Sequence, residues 1–274
     1  MLKNIIFSGG GFKGWAYIGT IRALYELIDY REIEQVIGVS IGSLFGLCYV
    51  LHIEWEFLLD CIINLNFFDI LDIDIDNLFI KESIICGLKF TELIKSIISA
   101  KIDPDITFIE LYKYSKILFT VNALNISDSR LEYFNYINTP NIKVLDSLIA
   151  SSALPPLFPP FKIQDKWYYD GGFCNNCPIN LVDEQSSIAF DLSINEEFNS
   201  EFKLSDLLVS LVNIINKISY NKESTIIHKL LDSRFKNELF NYKQSRDDRF
   251  TIYMNGYINS KRILFDNYIA LPSI

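Results

Sequence analysis

"IIFSGGGFKGWAYIGTIRAL", residues 5–24, followed by "VIGVSIGSLFG", residues 36–46, decides the fold. Residues 3–8 form an apolar run that reads as a short buried strand. Residues 14–28 then place Trp15, Ile18, Ile21, Leu24 and Leu27 at helical spacing. "EQVIGVS" reads as a second buried strand, and "IGSLFGLCYVLHI" as a strongly apolar helix that begins at the serine. Strand, tight turn and helix, twice over, is the grammar of a parallel sheet covered on both faces. The expected class is α/β, a three-layer α/β/α arrangement around a mostly parallel central sheet.

The first turn admits three readings. Gly9, Gly11 and Gly14 fit the dinucleotide fingerprint G-x-G-x-x-G, which also requires an acidic residue at the end of the second strand. Asp29 has the right count but falls at the end of the intervening helix, and the second strand ends in "GVS". A phosphate-binding P-loop requires Lys and Ser/Thr directly after Gly14, where Trp15 and Ala16 stand. The third reading is an oxyanion trap, in which Gly10 and Gly11 offer backbone N–H groups and Lys13 adds positive charge nearby.

The second turn favours the third reading. Gly38-Val39-Ser40-Ile41-Gly42 is G-x-S-x-G between a buried strand and a helix, the context in which the motif forms a nucleophile elbow. Small residues flank the serine because the bend is too tight for larger ones. Ser40 Oγ is then thrust out over a helix N-terminus, whose dipole favours negative charge. A serine nucleophile needs a base, and the chain has two histidines. His52, twelve residues along the same expected helix, would lie about 18 Å away. His228 sits in "STIIHKLL", an apolar stretch read as helical, where a packed or surface histidine is expected. A Ser-His-Asp triad is therefore disfavoured. Asp170, in "KWYYDGG", is a carboxylate at a strand end before Gly171 and Gly172, and it either caps a turn or reaches the serine directly.

"SGGGFKGWAYIGTIRAL", "GVSIGSL" and "LDSLIASSALPPLFPPFKIQDKWYYDGGFCNNCPI" resemble, in order and spacing, the patatin-like phospholipases, lipid acyl hydrolases with a Ser-Asp dyad. The resemblance covers residues 4 to about 193 and is loose beyond about 194. It implies Ser40 as nucleophile, Asp170 as base and Gly9 to Gly14 as the oxyanion-hole loop. It also implies an oxyanion contribution from the backbone of Ile41 and a match of Asn176 and Pro178 to the family's Asn-x-Pro. Val39 and Ile41 stand where the family often has Thr and Ala, and Lys13 where Arg is commoner. Residues 4–193 are the expected catalytic core, with 194–274 packed on the same domain as helices and a strand. The implied substrate is a membrane phospholipid or another acyl lipid, met by peripheral membrane contact, with no cofactor and no metal. A catalytically dead lipid- or protein-binding module on the same fold is the competing reading.

The remaining composition is compatible with this. Half of the 274 residues are hydrophobic and 22% are charged, enough for a substantial core. Asp60, Asn64, Asn66 and Asp69 interrupt the greasiest region before a membrane-spanning length is reached. The N-terminal run breaks into glycines before a secretory apolar segment forms, so a cytoplasmic location is expected. A net charge of −9 disfavours nucleic acid. Residues 217–249 carry eight Lys/Arg against five Asp/Glu, which reads first as a solvated face. Five cysteines of scattered spacing make no disulfide framework, and Cys174 and Cys177 read as incidental loop residues. Asp72, Asp74 and Asp76 open like a calcium loop, but Asn77 replaces the turn glycine and Ser83 the terminal glutamate. Further along, 117–125, 130–136, "KWYYD" and 187–193 read as strands and Ser147–Ala153 as a short helix. A helix is expected from Ser205 with an apolar stripe from Leu207 to Ile218, and a final strand at "RFTIYMNGY".

Overall fold

A computed structural model describes residues 1–65, 72, 83–194, 224–235, 241 and 243–269. Among these, eight strands form one sheet in the order β5-β6-β3-β2-β1-β7-β8, with β4 paired to β3. The strands are β1 (Asn4–Phe7), β2 (Gln35–Gly38), β3 (Leu118–Asn125), β4 (Arg130–Phe134), β5 (Phe161–Ile163), β6 (Lys166–Asp170), β7 (Ser187–Asp191) and β8 (Ile227–Lys229). β1 is central and runs parallel to β2 and β7, and β3 and β8 extend the parallel part on either side. β4, β5 and β6 add antiparallel pairings at the β3 side. The helices are α1 (Ala16–Leu27), α2 (Ile41–Val50), α3 (Trp55–Asn64), α4 (Leu88–Ser99), α5 (Phe108–Ser115), α6 (Val144–Ser151) and α7 (Arg246–Tyr268). The chain thus adopts the expected class, a mostly parallel mixed sheet flanked by helices.

Side chains alternate across the sheet with the period of two that a pleated strand imposes. Ile5, Phe7, Val36, Ile188 and Phe190 join the large core under α1 and α2. Ile6, Ile37 and Ala189 point to the other face, where Ile179 and Ile226 cover them. All ten residues of α2 are buried, which is why its sequence is apolar on every side rather than striped.

Two C-terminal expectations are overturned. "RFTIYMNGY" lies inside α7, although its aromatic and β-branched residues favour a strand in isolation. A capping box at Ser245 and Asp248 starts the helix, and the buried positions Arg249, Ile252, Tyr253, Gly256, Ser260, Ile263 and Leu264 recur at helical spacing. They pack on α1: Thr20 and Ser260 share a hydrogen bond of 2.8 Å, and a Cβ on Gly256 would collide with the Ala16 backbone. The Arg249 guanidinium, buried in the same face, donates to the carbonyls of Ile62 and Leu65 and so closes the C-terminal end of α3. Conversely, "STIIHKLL" is not helical. Ile227–Lys229 pairs with β7, because the Ala189 N–H and the Asp191 carbonyl supply ladder partners at 2.8 and 3.0 Å.

Other boundaries shift less. The short helix begins at Val144 and ends at Ser151, three and two residues earlier than expected. Asp72, the first acid of the calcium-loop-like run, caps α4: its carboxylate accepts from the Gly87 and Leu88 N–H groups at 2.9 and 3.0 Å. Asp74, Asp76 and Asn77, and the helix expected from Ser205 through Ile218, lie outside the described residues. So does part of the basic stretch, of which Arg234 pairs with Asp232.

Candidate active site

The two glycine-rich turns meet at the C-terminal ends of β1 and β2, where open parallel sheets hold their ligands. In register, Phe7 at the end of β1 lies beside Gly38 at the end of β2, so Ser8–Gly11 and Val39–Ile41 leave the sheet side by side. Gly9 shows how close they come. A Cβ there would stand 3.2 Å from Ser40 Cβ and collide with the Asn176 side chain. Gly42 and Gly38 meet backbone instead, the first against the carbonyls of Phe7 and Ser8 and the second against Ser43 Cα, as the elbow's demand for small flanking residues requires. Gly14 faces the Ile41 side chain, and Lys13 is buried in the short helical turn Gly11–Trp15. Gly11, at φ 53°, takes the left-handed conformation open to glycine.

Ser40 itself sits at φ 52°, ψ −129°, between strand and helix. A non-glycine residue held there stores about 1–3 kcal/mol of backbone strain, which surrounding bonds must offset. The Ser40 N–H donates to Ser151 Oγ at 2.9 Å, and the Ser40 carbonyl accepts from Ser43 N and Oγ at 2.9 and 2.6 Å. Ile41 opens α2, so its N–H belongs to the first turn, where no preceding helical carbonyl is available.

Asp170 ends β6 and is buried, with 3% exposure. The Gly172 N–H donates to Asp170 Oδ1 at 2.7 Å, and the Ser40 hydroxyl stands beside the same carboxyl. Burial pushes this carboxyl up to about 7, while the Ser40 hydroxyl and the Gly172 N–H favour its ionised form and pull it down. Gly171 and Gly172 form the short turn after Asp170. Two asparagines fasten that turn. Asn176 Nδ2 donates to the Gly9 carbonyl at 3.2 Å, and Asn122 Nδ2 on β3 donates to the Asn175 carbonyl at 2.9 Å. The Ser40 turn, the glycine turn and the Asp170 turn are therefore one assembly, drawn from three distant parts of the chain.

The other candidates are elsewhere. His52 follows α2 and packs against Tyr25, with the rings tilted and 4.3 Å between their centroids. His228 is half-buried on β8, where burial lowers its pKa, and among the described residues it makes no hydrogen bond to Ser40 or Asp170. Asp29 binds Arg31 rather than standing at the end of β2. All five cysteines are free thiols, and among the described residues no cluster of His, Cys, Asp and Glu could hold a metal.

Sequence reasoning missed Asn122, Ser151 and a polar network under the glycine turn. In that network Ser8 Oγ donates to Asp191 at 3.0 Å and accepts from the Leu192 N–H at 3.0 Å, while the Tyr17 hydroxyl binds the Ser8 and Phe190 carbonyls. Only the position of Ser8 directly before three glycines hinted at it.

With this geometry in place, residues 5–183 match the patatin-like phospholipase family model. The chain belongs to that family. Its relatives include proteins named as a lipid hydrolase and a triacylglycerol lipase. It is 30% identical over 191 residues to "Probable lipid hydrolase 463L" of Invertebrate iridescent virus 6, covering 66% of this chain and 63% of that protein. It is 27% identical over 257 residues to "Triacylglycerol lipase 5" of Saccharomyces cerevisiae, covering 86% of this chain and 33% of the lipase. The chain thus spans less than two thirds of the length of either relative. In fold it is similar to VipD from Legionella pneumophila, with a TM-score of 0.65 at 15% identity, over 97% of this chain and 67% of that one. No helix among the described residues is long and apolar enough to cross a membrane.

Proposed function

We propose that this patatin-like protein is a lipid acyl hydrolase of the phospholipase A type, working through a Ser40–Asp170 dyad. What supports the reading is the Ser40 hydroxyl standing beside a buried carboxyl lifted to about 7. An ordinary aspartate is too weak a base to be useful to a serine, whereas a base poised near the working pH combines the right protonation state with driving force. Burial thus supplies to Asp170 what a triad obtains from imidazole.

Two steps follow. Ser40 Oγ attacks the ester carbonyl as its proton passes to Asp170, and the carbonyl oxygen becomes an oxyanion held by N–H groups of Gly10, Gly11 and Ile41, with Lys13 alongside. Collapse breaks the acyl–oxygen bond, Asp170 returns the proton to the departing alcohol, and an acyl-serine remains. Water then adds with Asp170 again accepting a proton, and the fatty acid leaves as Ser40 recovers its own. Gly9, Gly14, Gly38, Gly42, Gly171 and Gly172 shape the turns and do not react. Residues 4–193 form the catalytic core in this reading, and the described C-terminal helix α7 packs on its α1. The substrate is a membrane phospholipid or another acyl lipid reached by peripheral contact in the cytoplasm.

Ser40→Ala and Asp170→Asn each abolish hydrolysis of a p-nitrophenyl acyl ester while circular dichroism remains that of the wild type. A fluorophosphonate probe labels the wild type at Ser40 and leaves Ser40→Ala unlabelled. Wild-type turnover in either variant removes the dyad, and an unlabelled wild type favours the dead-module reading. Mass spectrometry of products from mixed membranes distinguishes phospholipid from neutral lipid.

A further inference from the structure

One short span touches both members of the proposed dyad through their backbones. Ser151, the last residue of α6, is fully buried, and its Oγ accepts the Ser40 N–H at 2.9 Å. Two residues on, the Ala153 carbonyl accepts the Asp170 N–H at 3.0 Å. Ser40 lies 111 positions before Ser151, and Asp170 is on a strand that does not neighbour β2 in the sheet. The bend after α6 is therefore a bracket joining the two.

We propose that Ser151 is a positioning residue for acyl transfer, fixing the angle and separation at which the Ser40 hydroxyl meets the Asp170 carboxyl. The proposal rests on the hydrolase reading above. Its physical basis is the positive φ of Ser40, a conformation the serine leaves readily unless its N–H is held. One arm of the bracket is a side chain, and so can be removed without touching the other, which is backbone. Without the hydroxyl, the Ser40 N–H loses its acceptor and the turn relaxes. Displacements of about 1 Å at a reacting group lower rates by as much as ~10²-fold. Substrate binding is unaffected, because Ser151 is sealed from solvent.

Ser147 supplies the control. It is an equally buried serine one turn earlier on α6, and among the described residues its Oγ bonds within the helix alone, to the Val144 carbonyl at 2.7 Å. Ser151→Ala lowers kcat by about tenfold to a hundredfold with KM within about twofold. Ser147→Ala lowers Tm to a similar degree and leaves kcat alone. Ser151→Cys, whose thiol is a weak acceptor, falls between wild type and Ser151→Ala. Amide hydrogen exchange, which needs no substrate, reads the bracket itself: the Ser40 N–H exchanges at least about tenfold faster in Ser151→Ala, while β1 amides do not change. Unchanged Ser40 exchange, or a kcat loss matched by Ser147→Ala, overturns the proposal. Should the wild type hydrolyse no ester while Ser40 exchange still accelerates, the hydrolase reading fails and the bracket stands.

Discussion

The paired turns at Gly9–Gly14 and Ser40 and the C-terminal pair of β8 and α7 are held by different kinds of constraint. At the turns, local chemistry leaves one solution. Glycine is required where a Cβ would strike Ser40 or the Phe7 carbonyl, and a buried strand must precede each bend. At β8 and α7 the local sequence points the wrong way, and distant partners decide. Ile227–Lys229 is a strand because β7 offers an open edge, and Arg246–Tyr268 is a helix because α1 offers a groove. Where a tight turn fixes the backbone, residues thus announce their conformation; where packing fixes it, they need only fit.

The largest expected effect breaks the functional side of this comparison. Asp170→Asn loses about 10³-fold or more in kcat, yet becomes more stable than the wild type at pH 8. The sign follows from proton linkage. The folded Asp170 titrates near 7 and the unfolded one near its ordinary 3.8, so the native state holds the extra proton between those values. Wild-type stability therefore falls as pH rises from about 4 to about 7, with a ceiling of roughly 4 kcal/mol, and the asparagine variant escapes that loss. Urea unfolding at pH 5 and pH 8 measures it; a variant less stable than the wild type at pH 8 contradicts the burial argument. Activity runs the opposite way. kcat/KM rises about tenfold per pH unit up to about 7 and then levels, as a base that must be ionised requires. A profile flat from pH 5 to 8 rules out Asp170 as the base.

A smaller effect tests the packing side. Gly256→Ala drives a methyl into the Ala16 backbone and forces α7 away from α1. Overpacking of this kind costs about 1–3 kcal/mol, after the roughly 1 kcal/mol that alanine returns in helix propensity. Thermal melting reads that loss, while kcat per folded molecule stays at the wild-type value. A large fall in kcat at unchanged Tm would instead join α7 to the proposed catalytic assembly.

The same contrast explains how much was legible in the sequence. Ser40, Asp170 and the glycine turns stand out because each combines a motif with a flanking strand, and the α/β class follows from the repeated strand-turn-helix. Ser151, Asn122 and the Ser8–Asp191 pair do not stand out, since each acts through a hydrogen bond spanning 53 to 183 positions. A polar side chain in an apolar segment carries no mark of the distant backbone group it serves. Secondary structure failed where one segment's preference met a stronger tertiary demand: the aromatic run 249–257 has strand propensity, but its buried residues recur every three or four positions. That spacing was present in the chain, obscured because Phe and Ile also occupy the exposed face at Phe250 and Ile258.

One local signal in the C-terminal region did point to the helix. Ser245-x-x-Asp248 has the form of a capping box, and both halves are made: the Asp248 N–H donates to Ser245 Oγ at 3.1 Å, and the Ser245 N–H donates to Asp248 at 2.8 Å. Ser245→Ala therefore costs about 1 kcal/mol, the usual value of an exposed N-cap, and guanidinium unfolding should detect it as a lower midpoint at unchanged slope. The loss is small because the remaining twenty-odd residues of α7 are held by α1 and by Arg249, not by the cap. If Ser245→Ala instead melted the helix outright, local chemistry would govern this region as it governs the Ser40 turn. The division between signalled and merely accommodated structure would then not hold.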